Sequence, residues 1–340
     1  MDVSVVIINW NSKEFLRTCL RSLESVSPSL SFEIIVIDNA SHDGCGQMLA
    51  AEFPQVFFLQ SEANLGFSRA NNLAARQATG RALLFLNPDT ELIEDSLSLL
   101  ASHLDKLPAA GAVGCKLLNA DRSLQRSCIQ AFPSVLNQFL DSDFLRDRFP
   151  RSSLWGTAAF LSVGSQPEVV PAVSGACFMV KREVFDRVGG WTEAYFMYGE
   201  DLDLSYKIQK AGSHVYYVPK TSVVHYAGKS TEKAKSSFSY IVMRESVYRF
   251  LRLHRGWVSA SGYRLAMAGT STLRLLLIVP LLLAGDRLVK HGTGSLQKWL
   301  SILRWSLGLE TWATMQVPSS APLAKRPSVH PDSITGCNRP

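Results

Sequence analysis

Short apolar runs alternate with polar turns and helix-spaced segments through the first third of the chain. "VSVVIINW", "FEIIVIDN", "QVFFLQ" and "ALLFLN" are rich in β-branched and aromatic residues, and each predicts a strand. The segment "SKEFLRTCLRSLES" opens at Ser12, an expected N-cap, and carries Phe15, Cys19, Leu20 and Leu23 at helical spacing. It predicts a covering helix. The βαβα rhythm predicts an α/β fold with a mainly parallel sheet covered by helices. After "GAVGCKLLNADRSLQRS" the period weakens, and Cys128 to Pro171 reads as an irregular insert. Regular structure resumes at "VVPAVSGACFMVKREVFDRVGGW", and a Pro- and Ser-rich stretch from Gln316 to Pro340 predicts disorder.

Charge changes this picture more than bulk composition does. Residues 1–219 hold 18 Lys and Arg against 24 Asp and Glu, whereas residues 220–304 hold 14 against 3. An acidic body therefore carries a basic end. Between Arg264 and Arg304 the basic residues alternate with apolar runs, "LRLLLIVPLLLAGDRLVK" (273–290) and "LQKWLSILRWSLGL" (296–309). The uncharged core of the first run is too short to span a bilayer and contains Pro280. The pattern predicts peripheral membrane contact through residues 264–309, with Trp299 and Trp305 as headgroup-level anchors. A buried helical hairpin is the alternative. Leucine runs in place of exposed stacking aromatics disfavour nucleic acid as a partner. Met1-Asp2 leads directly into a strand pattern with no secretory signal, which predicts a cytoplasmic protein. The six cysteines lack CxxC spacing, so neither a zinc site nor a disulfide framework is expected.

Candidate chemistry gathers at the predicted strand ends, where ligands bind in open α/β sheets. The first strand ends with Asn9 and Asn11, the second with Asp38, Asn39, Ser41 and Asp43, and the fourth with Asn87 and Asp89. Ser41, Asp43 and Gly44 serve equally well as turn and cap residues; Asp38, after a run of apolar residues, points to ligand binding. No G-x-G-x-x-G or G-x-x-x-x-G-K-[ST] motif is present, which disfavours dinucleotide and P-loop enzymes. Asn87 and Asp89, two apart around Pro88, project from one face and suit a hard cation, Mg²⁺ or Mn²⁺, shared with a diphosphate. Glu200, Asp201 and Asp203 open a predicted helix, more carboxylates than capping needs, and one could serve as a general base. His225 is a candidate nitrogen ligand for the same metal, and Lys229 a diphosphate contact.

The ordered set "VVIINWN", "IIVIDNASHDG", "NLGFSRANNLA", "LFLNPDT", "SGACFMVKREVFDRVGGW", "FMYGEDLDL" and "HYAGKST" resembles the family 2 inverting glycosyltransferases, in their rhamnosyltransferase-like branch. The resemblance implies a GT-A fold over residues 1–235, with a nucleotide-sugar half (1–120) and an acceptor half (121–235). A helical extension (236–315) and the tail (316–340) would follow. It also implies that Asp38 holds a pyrimidine base beside Asn9, Asn11 and Asn39, and that Asn64 and Arg69 flank the donor. Asp89 would take the place of the last aspartate of the DxD motif, completed by His225; the first is Asn87 here, a weaker ligand. Asp201 would be the base, next to Glu200, and Gly175, Trp191 and Asp203 would line the acceptor side. The branch favours dTDP-L-rhamnose as donor and a polyprenol-linked glycan as acceptor at the inner face of the cell membrane. UDP-galactofuranose or another UDP-hexose is the alternative donor. A nucleotidyltransferase would carry a Gly- and Arg-rich loop after the first strand, which "IINWNSKEF" lacks; a non-catalytic binding module would not need the three carboxylates.

Overall fold

The computed structural model describes residues 1–26, 29–152, 154–155, 166–226, 237–283, 289–310 and 312. The chain runs β1 (Val3–Asn9), α1 (Lys13–Ser25), β2 (Phe32–Asp38), α2 (Cys45–Glu52), β3 (Phe57–Gln60), α3 (Gly66–Ala75) and β4 (Ala82–Leu86). β5 (Thr90–Leu92), α4 (Ser96–Lys106), β6 (Ala110–Leu118), β7 (Ile129–Gln130), α5 (Val135–Phe139) and α6 (Asp143–Arg148) follow. Next come β8 (Glu168–Val169), β9 (Ala172–Val173), β10 (Cys177–Lys181), α7 (Arg182–Arg187), α8 (Glu200–Lys210) and β11 (His214–His225). The long α9 (Ser237–Leu283) and α10 (Val289–Ser306) complete the order.

Among the described residues, nine strands form one sheet in the order β3-β2-β1-β4-β10-β6-β11-β5, with β8 on β11. The four expected strands pair in parallel, β1 with both β2 and β4, and β2 with β3. β10 enters antiparallel between β4 and β6. β1 and β4 are buried on both faces, as a parallel sheet under helices requires. α1 covers one face with Cys19, Leu20 and Leu23 as expected and with Leu16 in place of Phe15, which is only half-buried; each such buried leucine contributes about 1.5–3 kcal/mol. Ser12 stands at the N-cap, but its hydroxyl turns to the Trp10 carbonyl. The Asp43 carboxylate takes the Lys13 N–H in its place, at 2.9 Å. The cap of the first helix thus comes from the loop after the second strand, which fixes two strand-end loops against each other.

The basic end departs from expectation. α9 and α10 pack together around Ile241, Leu251, Ala260, Tyr263, Met267, Trp299, Ile302 and Trp305. Trp299 and Trp305 are therefore core residues and not headgroup anchors: Trp305 donates to Glu245 at 3.0 Å, with Arg264 over its ring, and Arg274 lies over Trp299. Buried indoles paired in this way have no surface left for lipid. The break in α9 falls at Gly256 (φ 81°), a backbone conformation only glycine adopts cheaply, and the helix continues past Pro280. Among the described residues no helix is long and apolar enough to cross a membrane. The five described cysteines are buried and free. Lys229, the Gln316–Pro340 stretch and residues 284–288 of the apolar run lie outside the described residues.

Candidate active site

The ends of β1 and β2 are locked together by one buried amide. Asn9 donates to Asp38 (2.9 Å), Ser41 (3.0 Å) and Asp43 (3.2 Å), and Asn39 N–H bonds the Asn9 carbonyl at 2.8 Å. Asp38 also accepts from Gln60 at 2.9 Å and from Ser41. Burial alone would raise the Asp38 carboxyl, but the donors Ser41, Gln60 and Asn9 hold it below the ordinary range. Asp43 is depressed likewise, by Asn9 and by the N–H groups of Cys45 and Lys13. Asp38, Asp43 and Cys45 place potential ligand atoms within 4.8 Å of one another. Those carboxylates are already occupied by donors, however, and the Cys45 thiol is pushed strongly upward by burial and both acids. A metal fits poorly there. Asn39 continues the network, donating to Asn64 at 2.9 Å and accepting from Leu65 N–H at 2.8 Å. Asn11 is exposed, in the left-handed region at φ 51°.

A second group forms where β4, β5 and β11 meet. Antiparallel pairing sets His225 opposite Thr90, one residue beyond Asp89. His225 Nε2 lies 3.4 Å from both Asp89 Oδ1 and Asn87 Nδ2. Gln125 explains the ring's orientation. The turn after β6 folds back through a Leu118–Leu124 bridge, and Gln125 Nε2 donates to the His225 carbonyl at 2.6 Å while its Oε1 lies 3.0 Å from Nδ1. An amide oxygen only accepts, so Nδ1 carries a proton toward Gln125, and Nε2 is the ring nitrogen turned to Asp89 and Asn87. The buried Asp89 carboxylate, His225 Nε2 and the side-chain oxygen of Asn87 are a donor set that would suit one divalent cation.

The third group lies at the N-terminus of α8. Tyr198 (φ 70°) and Gly199 (φ 80°) are both in the left-handed region, strained for tyrosine, and turn the chain sharply into the helix. Asp201 Oδ2 accepts from Gln130 Nε2 at 2.8 Å and from Gly175 N–H at 3.1 Å, and Oδ1 from Leu202 N–H at 2.8 Å. Pairing of β7 with β9 brings Gln130 there. Burial raises the Asp201 carboxyl against these donors. Burial and the adjacent Asp201 push Glu200 up to about 8, and its Oε2 has no partner among the described residues, so the pair favours holding a proton on Glu200. The second and third groups meet at two consecutive residues, Gly175 and Ala176. Gly175 N–H holds Asp201, while the next carbonyl, Ala176, accepts from Asn87 N–H at 3.0 Å.

Not every predicted residue faces this crevice. Trp191 is 1% exposed and packed among Phe67, Phe85 and Phe178; it is a core residue, not an acceptor contact. Asp203, also 1% exposed, is bonded to Thr192, Tyr195, His254 and Lys207. Its oxygens are taken up in tying α8 to the 191–199 loop and, through His254, to α9, so it too is withdrawn from the acceptor side. Gly175 acts through its backbone N–H on Asp201. Arg69 pairs with Glu193 at 3.1 Å, tying α3 to the 191–199 loop. Gly66 (φ 73°) permits this approach, because a Cβ would stand 2.7 Å from the Phe196 carbonyl. Gln125, Gln130 and His254 were not anticipated. Neither glutamine lies in a motif; Gln125 is positioned by the turn closed at the Leu118–Leu124 bridge, and Gln130 by the pairing of two short strands distant in sequence.

Comparison with known proteins follows the same lines. A family model described as Glycosyl transferase family 2 matches residues 4–189. The chain is 32% identical over 289 residues to the N-acetylglucosaminyl-diphospho-decaprenol L-rhamnosyltransferase of Mycobacterium tuberculosis, covering 81% of this chain and 92% of that one. It is 26% identical to the rhamnosyltransferase WbbL of Escherichia coli K12, covering 71% and 93%. Among solved structures, the mannosyltransferase PcManGT of Pyrobaculum calidifontis, in complex with GDP-Man and Mn²⁺, superimposes with a TM-score of 0.55 at 17% identity, covering 90% and 86%. That likeness shows the GT-A fold.

Proposed function

Because the chain belongs to glycosyl transferase family 2, we propose that it moves L-rhamnose from dTDP-L-rhamnose to a hydroxyl of a polyprenol-linked glycan, with inversion at the anomeric carbon. The observation that carries this reading is the two-residue segment Gly175-Ala176, whose first N–H donates to Asp201 and whose last carbonyl accepts from Asn87 N–H. In this reading the segment would set a general base and a diphosphate-binding group in one crevice. The relatives' names supply the donor sugar and the lipid acceptor. A lipid-linked acceptor sets the reaction at a membrane surface, on the cytoplasmic side where the nucleotide sugar is.

In this reading the pyrimidine lies against Asp38, whose bond to Gln60 is exchanged for one from the base. Asn9 holds Asp38 in place, and Asn11, Asn39 and Asn64 form the wall beside it. Asp89 and His225, with Asn87, would hold Mg²⁺ or Mn²⁺, which when bound stabilises charge on the departing diphosphate. Lys229 is assigned to the same diphosphate. Asp201 removes the acceptor proton as that oxygen attacks the anomeric carbon and the bond to the diphosphate oxygen breaks. Glu200 stays protonated, so Asp201 is the single negative charge of the pair. One displacement needs no enzyme nucleophile, and the described thiols are buried.

The test is transfer from dTDP-L-rhamnose, UDP-galactofuranose and UDP-hexoses to N-acetylglucosaminyl-diphospho-decaprenol, with Asp201→Asn beside the wild type. Rhamnosyl transfer is expected, reduced about 10²–10⁴-fold in the variant with dTDP binding retained. Transfer from a UDP-sugar alone would replace the donor assignment, and unchanged turnover in Asp201→Asn would remove the base.

A further inference from the structure

The second part of α9 is apolar on two faces, and only one of them is used. Ala260, Tyr263, Met267 and Ser271 point inward toward α10 and are buried. On the other side Val258, Leu265 and Leu276 share one stripe, and Leu265 is 74% exposed. Leu253 and Trp257, on either side of the Gly256 break, are exposed as well, Trp257 by 71%. A helix with one solvent face would carry polar residues at these positions. Exposed Arg252 and Arg255 precede Trp257 by five and two residues, and neither has an ion-pair partner among the described residues. From Arg252 to Ile278 there are four arginines and no acid.

We infer that the Gly256 corner and the outer stripe of α9 dock onto an anionic lipid surface. Trp257 sits at headgroup level, Val258 and Leu265 in the acyl boundary, and Arg252 and Arg255 on lipid phosphates. A second copy of the chain fits less well. A two-fold contact would set this acid-free patch against itself, arginine facing arginine. The inference rests on the lipid-linked acceptor for its purpose. His254, three residues before Trp257, bonds Asp203 at 2.6 Å, and Asp203 is two residues from Asp201. A membrane-bound corner would hold the proposed base at a fixed height over the bilayer. The contact lies on residues that differ from the tryptophans expected from sequence.

The experiment is co-sedimentation of the full chain with vesicles of phosphatidylglycerol and phosphatidylcholine in equal parts, or of phosphatidylcholine alone, none containing a sugar lipid. Pelleting with the anionic vesicles is expected, weakened by salt and at least tenfold lower on phosphatidylcholine. Arg252→Gln with Arg255→Gln should lower partitioning about thirtyfold, from about fivefold per arginine. Val258→Ser with Leu265→Ser should lower it at least tenfold. Both variants should keep the dTDP-induced rise in Tm, which excludes misfolding. No pelleting with anionic vesicles, or variants that pellet like the wild type, would overturn the inference. So would a dimer in light scattering that Val258→Ser with Leu265→Ser converts to monomer without changing pelleting. Vesicle binding without any sugar transfer would count against the proposed function and leave the docking surface standing.

Discussion

Gln125 reaches His225 with both ends of its amide, and the tautomer of the imidazole depends on it. Gln125→Ala should lower Mn²⁺ affinity about 10–100-fold in an electron-spin-resonance titration, with little change in nucleotide-free Tm. Unchanged affinity would mean that His225 is no ligand. Glu200 gives a prediction about pH. Its carboxyl is raised from 4.5 to about 8, so the folded chain keeps a proton that the unfolded chain releases. The stability this represents is complete below about pH 4.5 and is lost as pH rises through about 8. The wild type should lose up to about 1.4 kcal/mol per pH unit across that window, and Glu200→Gln should flatten the curve in denaturant titrations. A parallel curve for the variant would place the buried proton elsewhere.

At the scale of elements, α8 is fastened twice at its N-terminal end. Its N-terminus is set by the left-handed pair Tyr198-Gly199, and its first turn is tied to α9 through Asp203 and His254. Asp203→Ala leaves His254, Lys207 and Tyr195 facing a space with no carboxylate, and should destabilise the protein by about 3–5 kcal/mol, as the loss of one partner of a buried pair does. Asp203→Asn, which keeps shape and part of the hydrogen bonding, should cost less. Equal Tm for the wild type and Asp203→Ala would contradict the joint. Much of this scale is legible in sequence: the four N-terminal strands and α1 follow from apolar period alone. The short β7 and β9 do not, because two-residue strands carry no period, and they are what bring Gln130 to Asp201.

For the whole molecule, the C-terminal helices are part of the body. Phe250 packs on Leu202, Phe132 and Tyr206, and Arg249 and Ser246 bond the carbonyls of Ala194 and Met197. Truncation after Tyr226 should therefore lower Tm and expose apolar surface to a dye such as ANS, and not simply release the protein from membranes. A truncated chain with wild-type Tm would show that the body stands alone. The sequence by itself determined the strand–helix alternation, the family motifs and the charge asymmetry, because these reside in local period and residue order. It also placed Asp38, Asn87, Asp89, Asp201 and His225 among the candidates. Only the tertiary structure decided which apolar and acidic residues face outward. Trp191, Trp299 and Trp305 went to the interior and Trp257 to the surface, and Asp203 became a joint while Asp201 stayed at the crevice. Burial and hydrogen-bond partners are properties of neighbours far apart in the chain, and residue type alone does not contain them.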